Sequence, residues 1–153
     1  MLHNQMGWLE EHLECHVMTF RDRGIRNISK ILVLIASEVP DELKVGTAEH
    51  LARVNNAEIT FLGISNNSSP DNCLEKIKSN LLLQVEKMAV KCSVETLDPN
   101  AGLSEVIQKT IEFDLLVLNA KKRRSFRDMW FGNFDDRIMT KSACSVVSLQ
   151  RRV

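Results

Sequence analysis

The sequence predicts one α/β domain: a five-stranded parallel sheet with helices on both faces. Continuous apolar runs rich in Val, Ile and Leu recur along the chain, and segments with apolar residues every three or four positions lie between them. The two kinds of segment alternate from about residue 29 to residue 150. Such alternation is typical of parallel sheets with right-handed crossovers. The length of 153 residues suits one domain of ordinary size.

Five segments have the composition of strands. The clearest is Lys30–Ser37, because its centre is an uninterrupted apolar run, which is typical of a strand covered on both faces. Residues 57–64 and 114–118 have the same character. Residues 91–97 are a weaker strand that we expect near an edge of the sheet, and residues 145–149 form the fifth strand.

Four segments between the strands have a helical repeat. Residues about 40–55 begin with Pro40 and two acids, which favour a helix N-terminus. Four of their side chains share one face, which we expect to be buried: Leu43, Thr47, Leu51 and Val54. Residues 74–88, 100–111 and about 133–142 form the other helices.

Residues 1–28 stand outside the repeat and are predicted to be a helical extension or connector of the domain at 29–153. Four apolar side chains have the spacing of one helix face: Leu9, Leu13, Val17 and Phe20. Packing of this segment on the sheet, or across a dimer, would favour a self-contained protein. An isolated projecting helix would favour a segment that joins the domain to a larger protein.

Charge and cysteine content narrow the functional class. The 20 basic and 20 acidic residues balance, so we expect no nucleic-acid partner. The four cysteines form no C-x-x-C pair and are interpreted as reduced thiols of a cytoplasmic protein. No apolar run approaches the roughly 20 residues of a membrane helix, and no secretory signal is visible.

Patterns for catalysis or metal binding are weak. His12 and His16 are four positions apart with Cys15 between them, but no further ligands are indicated, so a solvated helix face is the expected interpretation and no metal is assigned. No Ser-His-Asp order, paired carboxylates or H-E-x-x-H pattern appears. We therefore assign no catalytic residues and expect a protein that is not an enzyme.

The carboxyl ends of the strands are the expected ligand site, because open parallel sheets bind ligands where the strand order reverses. At that edge the sequence places Ala36 and Ser37 after the first strand, and Asn119 after the fourth.

The five-strand alternation and its ending resemble the universal stress protein (UspA) family over residues about 29–150. The most specific part runs from Phe131-Gly132-Asn133-Phe134 to Ala143-Cys144-Ser145-Val146-Val147. Members typically carry G-x2-G-x9-G-[ST] after the fourth strand. The resemblance implies a Rossmann-like fold of the adenine-nucleotide alpha-hydrolase-like type, and a loop that cradles the phosphates of ATP in the nucleotide-binding branch.

Counting back from Gly132, the glycine pattern falls on Asn119, Lys122, Gly132 and Asn133, so only Gly132 matches. Asn119 tolerates a left-handed backbone and Asn133 can cap a helix, so both are mild replacements. Lys122 fills space that glycine leaves open, although its ammonium can meet a phosphate. Ala36 stands where the family usually has an Asp near the adenine and ribose. These changes disfavour the usual ATP pose.

The same loop is basic and aromatic. Lys121-Lys122-Arg123-Arg124 is interpreted as a solvated loop, with an anion ligand, an acidic partner or an anionic membrane surface as alternatives. Several large apolar side chains follow: Phe126, Met129, Trp130, Phe131 and Phe134. Some are expected in the core, and Trp130 or Phe126 on a partner surface or over the ligand pocket.

Two functions remain open. The first is a non-catalytic regulatory or signalling module that binds a small ligand, such as a nucleotide, or a protein partner. The resemblance implies a homodimer through the last strand, at Val146, Val147, Ser148 and Leu149, and an exposed edge strand there would need a partner or a cover. The second is the cytosolic C-terminal regulatory domain of an amino-acid or ion transporter, at the cytoplasmic face of a membrane.

Overall fold

A computed structural model describes residues 12–65, 73–98, 100–119 and 134–151. The described residues form six strands and four helices, which are numbered in chain order. The strands are β1 (Val17–Arg21), β2 (Lys30–Ile35), β3 (Glu58–Gly63), β4 (Cys92–Thr96), β5 (Leu115–Asn119) and β6 (Ser145–Gln150). The helices are α1 (Glu42–Asn55), α2 (Cys73–Glu86), α3 (Leu103–Thr110) and α4 (Phe134–Lys141).

The strands form one sheet in the order β1-β6-β5-β2-β3-β4. Strands β2 to β6 pair in parallel, which confirms the predicted α/β class. β1 is antiparallel to β6, with Val17 opposite Gln150 and Arg21 opposite Val146. The sheet therefore has six strands rather than the five predicted. β4 lies at one edge, as expected from its weaker apolar pattern.

The helix predicted through Val17 and Phe20 is wrong, because these residues form strand β1. Val17, Thr19 and Phe20 are β-branched or aromatic and favour an extended backbone. The edge of β6 supplies the hydrogen-bonding partners that a helix would otherwise find within itself. Since residues 13–16 are not helical, His12 and His16 do not share a helix face.

A second correction concerns β6. The sequence suggested an exposed edge strand, but β6 lies between β1 and β5 in the sheet. Its four proposed interface residues, Val146 to Leu149, are at most 4% exposed. The backbone edge that a second copy was expected to meet is occupied by β1 of the same chain.

Two apolar cores cover the two faces of the sheet. On one face, α1 and α2 pack Ala48 and Ile77 against residues such as Phe61. On the other face, α3 and α4 pack Val106 and Ile138 against their own set of strand residues. Both faces are thus covered, which explains why the central strands are apolar without alternation.

The buried face of α1 differs from the predicted one. The buried residues are Lys44, Val45, Ala48 and Ala52, whereas Val54 is 70% exposed. Small alanines allow the helix to approach the sheet closely, so the larger apolar side chains beside them stay partly outside. A lysine at a buried position was not anticipated, and it belongs to the site described next.

Candidate functional site

The strand order reverses between β2 and β5. From β2 the chain continues through β3 to β4 on one side, whereas β5 and β6 lie on the other side. β2 and β5 are direct neighbours, with Val33 opposite Val117. Their carboxyl ends therefore open a crevice where parallel sheets place ligands. Ala36 follows β2 at this edge, and Asn119 ends β5 there.

Asp41 joins three elements across this crevice. As the N-cap of α1, its Oδ1 accepts a hydrogen bond of 2.8 Å from the backbone N–H of Leu43. Its Oδ2 accepts one of 3.2 Å from the side-chain amide of Asn119. The guanidinium of Arg151, just after β6, lies 3.8 Å from Oδ1. One carboxylate thus connects α1, β5 and the end of β6.

Lys44 places a cation at the base of the same crevice. Its side chain is 6% exposed, and Nζ donates a 2.6 Å hydrogen bond to the carbonyl oxygen of Leu34, near the end of β2. A buried ammonium is stable only when hydrogen bonds replace its water shell. The amino group of Lys44 therefore lies at the end of β2, on the helix that Asp41 caps.

The loop after β2 is held by its own contacts and by α2. The hydroxyl of Ser37 donates to the carbonyl oxygen of Val39 at 2.8 Å. The amide of Asn80 on α2 donates to the carbonyl oxygen of Glu38 at 2.6 Å, and Lys76 lies 3.7 Å from the Glu38 carboxylate. Ser37 is thus engaged in shaping the loop, while half-buried Ala36 packs against the core under α3 and α4.

Gln150, the last residue of β6, carries a buried Oε1 without a hydrogen-bond partner among the described residues. Leu149, directly before it, lies opposite Asn119 in the parallel register. Buried acceptors are nearly always satisfied, and those that are not are often found where a ligand or water belongs. Gln150 is therefore a further candidate for the crevice.

The structure brings three of the predicted site residues, Ala36, Ser37 and Asn119, to one edge of the sheet. Lys122, Gly132 and Asn133 lie outside the described residues, as do the basic run and the aromatic residues from Phe126 to Phe131. Sequence reasoning missed four residues: Asp41, Lys44, Gln150 and Arg151. Asp41 was interpreted only as a helix-favouring acid, and the other three show no motif.

An open cleft of about 550 Å³ lies at the opposite, amino edge of the sheet. It is lined by Lys30, Arg53 and Lys91 among others. Lys91 is 2.9 Å from the carboxylate of Glu58, and this contact lowers the pKa of Glu58. The last turn of α1 points its carbonyl groups to this edge, which disfavours an anion there. We therefore place the functional site at the carboxyl edge.

The described residues include no group of three or more His, Cys, Asp or Glu side chains that could hold a metal. The cysteines are free thiols, and Cys73 and Cys144 are buried. Burial raises the pKa of Cys144, and burial together with the nearby Glu49 raises the pKa of Cys92 to about 11. Within the part of the chain that the structure describes, no helix combines the length and apolarity needed to cross a bilayer.

This fold, with a crevice at the reversal of strand order, is the architecture of α/β proteins that bind a ligand at the carboxyl edge of a parallel sheet. The model of the universal stress protein family matches residues 27–149. The chain therefore belongs to the universal stress protein family. No curated protein matches the sequence significantly.

Solved structures agree on the fold. A universal stress protein from Archaeoglobus fulgidus shares 13% identity and a TM-score of 0.61, over 80% of this chain and 94% of that chain. Another, solved in complex with cAMP, shares 12% identity and a TM-score of 0.60, over 83% and 100%. A universal stress protein from Archaeoglobus fulgidus in complex with dAMP shares 12% identity and a TM-score of 0.58, over 81% and 99%.

Proposed function

We propose that this chain is a non-catalytic regulatory domain that binds an adenine mononucleotide in the crevice between β2 and β5. The observation that carries the proposal is a pair of contacts at the reversal of strand order: Nζ of Lys44 bonds to the end of β2, and Asn119 bonds to Asp41. A cation, a carboxylate and an amide provide partners for a phosphate, for ribose hydroxyls and for a base. The complexes of similar folds with cAMP and dAMP support this ligand class.

A mononucleotide fits the crevice better than ATP. The loop that resembles the family's phosphate cradle keeps one of its four motif residues, Gly132. The described cations of the crevice are Lys44 and Arg151, and Arg151 already lies 3.8 Å from Asp41. Two cations match the charge of one phosphate better than the charge of three.

The non-catalytic role is supported by the groups at this edge. Catalysis by a serine requires an adjacent base, but the hydroxyl of Ser37 donates to the carbonyl of Val39. Among the described residues that we place in the crevice, none is a histidine or cysteine. A bound nucleotide would thus act as a signal, through the elements that it contacts, rather than as a substrate.

Calorimetric titration tests this proposal. The chain is titrated with dAMP, cAMP and ATP with Mg²⁺, and we expect the two monophosphates to bind with dissociation constants on the order of 10–100 μM, roughly 5–7 kcal/mol. Lys44→Met should weaken binding about tenfold, the loss of a charge-assisted hydrogen bond. Lys91→Met, at the amino edge, is the matched control and should change nothing. Absence of heat with all three nucleotides would refute the proposal.

The transporter-domain alternative expected residues 1–28 to form a connector. Residues 17–21 instead pair with β6, and Ile25 and Ile28 pack against the core under α1 and α2. This packing supports treating residues 17–28 as part of the domain, and favours the first function over the alternative.

A further inference from the structure

The contacts of β1 point to a strand-exchange interface. β1 pairs with β6 along five residues, from Val17 opposite Gln150 to Arg21 opposite Val146. The strand lies outside the segment that the family model matches, residues 27–149. β1 covers the edge of β6. Without β1, the backbone groups of Val146, Val147 and Leu149 would be unpaired on that edge, and such an edge promotes aggregation.

Two arginines extend the contact beyond the ladder. Nη1 of Arg21 donates to the carbonyl oxygen of Met139 at 3.1 Å, and Nη2 of Arg23 donates to that of Thr140. Both carbonyls belong to the last turn of α4, where a helix leaves carbonyl groups without partners. The backbone N–H of Arg23 also donates to Oγ of Ser145 at 2.9 Å. These contacts all reach elements more than a hundred positions away in the sequence.

The segment that joins β1 to the rest of the sheet has the features of a hinge. Gly24 has φ +84°, and apart from its chain neighbours no described atom lies within 4 Å of a Cβ built on it. Oδ1 of Asp22 accepts hydrogen bonds from the backbone N–H groups of Gly24 and Ile25, which forms a tight exposed turn. Opening this turn breaks no core packing at Gly24.

β1 itself is only loosely buried. Met18 and Phe20, on one face of the strand, are 57% and 51% exposed. Among the described residues, the β6 ladder and the arginine contacts to α4 hold the strand, and a second copy of the chain offers the same partners. Exchange of one element between identical chains costs little, because every contact of the closed form is remade.

We propose that β1 exchanges between two copies of this chain, so that the edge of β6 and the C-terminus of α4 form the docking surface for β1 of a partner copy. The segment that occupies this surface is β1 of the other copy, paired antiparallel to β6. Arg21 and Arg23 of that copy then donate to the carbonyl groups at the end of α4, as they do within one chain. This dimer uses the edge of β6 but differs from a direct pairing of two β6 strands. It is independent of the proposed nucleotide binding.

Disulfide trapping tests the exchange. Thr19 lies directly opposite Ser148, so cysteines at these positions would be within reach of a cross-strand disulfide. One chain carries Thr19→Cys and a second carries Ser148→Cys, both with Cys15→Ser to remove an exposed thiol. The two are mixed, incubated and oxidised. Only exchange of β1 brings the two introduced cysteines together between chains.

We expect a covalent dimer with a disulfide that peptide mapping assigns to positions 19 and 148. Adding Gly24→Val to both chains should raise its yield at least threefold, because valine is strained at positive φ in the closed turn. A chain with both cysteines is the control for the register, and it should form the 19–148 disulfide whether or not β1 exchanges. If that control closes while the mixture gives no more dimer than Ser148→Cys mixed with Thr47→Cys, β1 does not exchange.

Discussion

The side-chain amide of Asn119 donates a 3.2 Å hydrogen bond to the carboxylate of Asp41, although 78 positions separate the two residues. The contact connects the end of β5 with the start of α1, on either side of the point where the strand order reverses. Asp41 therefore both caps α1 and lines the candidate site.

Asp41→Ala should therefore destabilise the fold. The lost N-cap costs about 1 kcal/mol, and the lost contacts to Asn119 and Arg151 bring the expected fall in unfolding free energy to about 1–2 kcal/mol. Urea denaturation measures it. Asp41→Ser is the matched control, because serine retains the cap acceptor but is too short for Asn119. Equal losses for the two variants would show that the cap contributes nothing.

Gln150→Leu should separate stability from ligand binding. The buried Oε1 has no partner among the described residues, and an unsatisfied buried acceptor costs about 1–3 kcal/mol. We expect leucine, which has no such acceptor, to raise the unfolding free energy by about 1 kcal/mol. The same change should weaken nucleotide binding severalfold in calorimetry. The matched control is Gln84→Leu, because Gln84 is half-buried on α2 and should not affect nucleotide affinity. If Gln150→Leu leaves the affinity unchanged, Gln150 is not part of the binding site.

Two glycine substitutions should act in opposite directions. Gly24→Ala places a side chain at φ +84°, which costs about 1–2 kcal/mol. Gly46 lies within α1, and a Cβ added there meets open space. Gly46→Ala should therefore raise the free energy of unfolding by about 0.5–1 kcal/mol. Thermal unfolding of both variants checks the pair. A stabilising Gly24→Ala would contradict the hinge geometry on which the exchange of β1 depends.

Ionisation of Cys92 should lower the free energy of unfolding as the pH rises through the alkaline range. Burial and Glu49 raise the pKa of this thiol from 9.0 to about 11 in the folded chain. Between these values the thiol of the unfolded chain loses a proton that the folded chain retains, which favours the unfolded chain as pH rises. The contribution of Cys92 to the free energy of unfolding is therefore full below about pH 9 and is lost by about pH 11. The difference in unfolding free energy between the native chain and Cys92→Ala should shrink over this range. A constant difference would show that the thiol is not shielded from water.

The same burial predicts thiol reactivity. Cys15 is exposed, whereas Cys73 and Cys144 are buried. Iodoacetamide at pH 8 should modify Cys15 first, because the thiolate is the reactive form and access is required. Peptide mapping at early times identifies the modified residue.

Much of the fold could be predicted because the central strands are buried on both faces. β2, β3 and β5 are continuous apolar runs with a distinct composition, and the helices between them have a regular repeat. β1 could not be predicted in the same way. Val17 and Phe20 fit a helical spacing, and five residues are too few for the alternation of a strand to override it. Its partner, β6, lies at the other end of the chain.

The candidate site could be predicted in position but not in its charges. The sequence places Ala36 and Asn119 at the carboxyl edge because they follow or end the strands there. Lys44 was hidden by its position in a helix, where burial depends on how closely the alanines of α1 approach the sheet. Arg151 reaches Asp41 only because the end of β6 lies close to the start of α1. A local sequence pattern does not give that distance.

The pairing of β1 with β6 has a consequence for synthesis of the chain on the ribosome. The first strand of the sheet to leave the exit tunnel pairs with the last one, so β1 remains without its ladder while the rest of the domain is made. At elongation rates of about 5–20 residues per second, this delay lasts several seconds or more. During this delay, the β6 edge with which a nascent β1 can pair is that of another copy that is already complete.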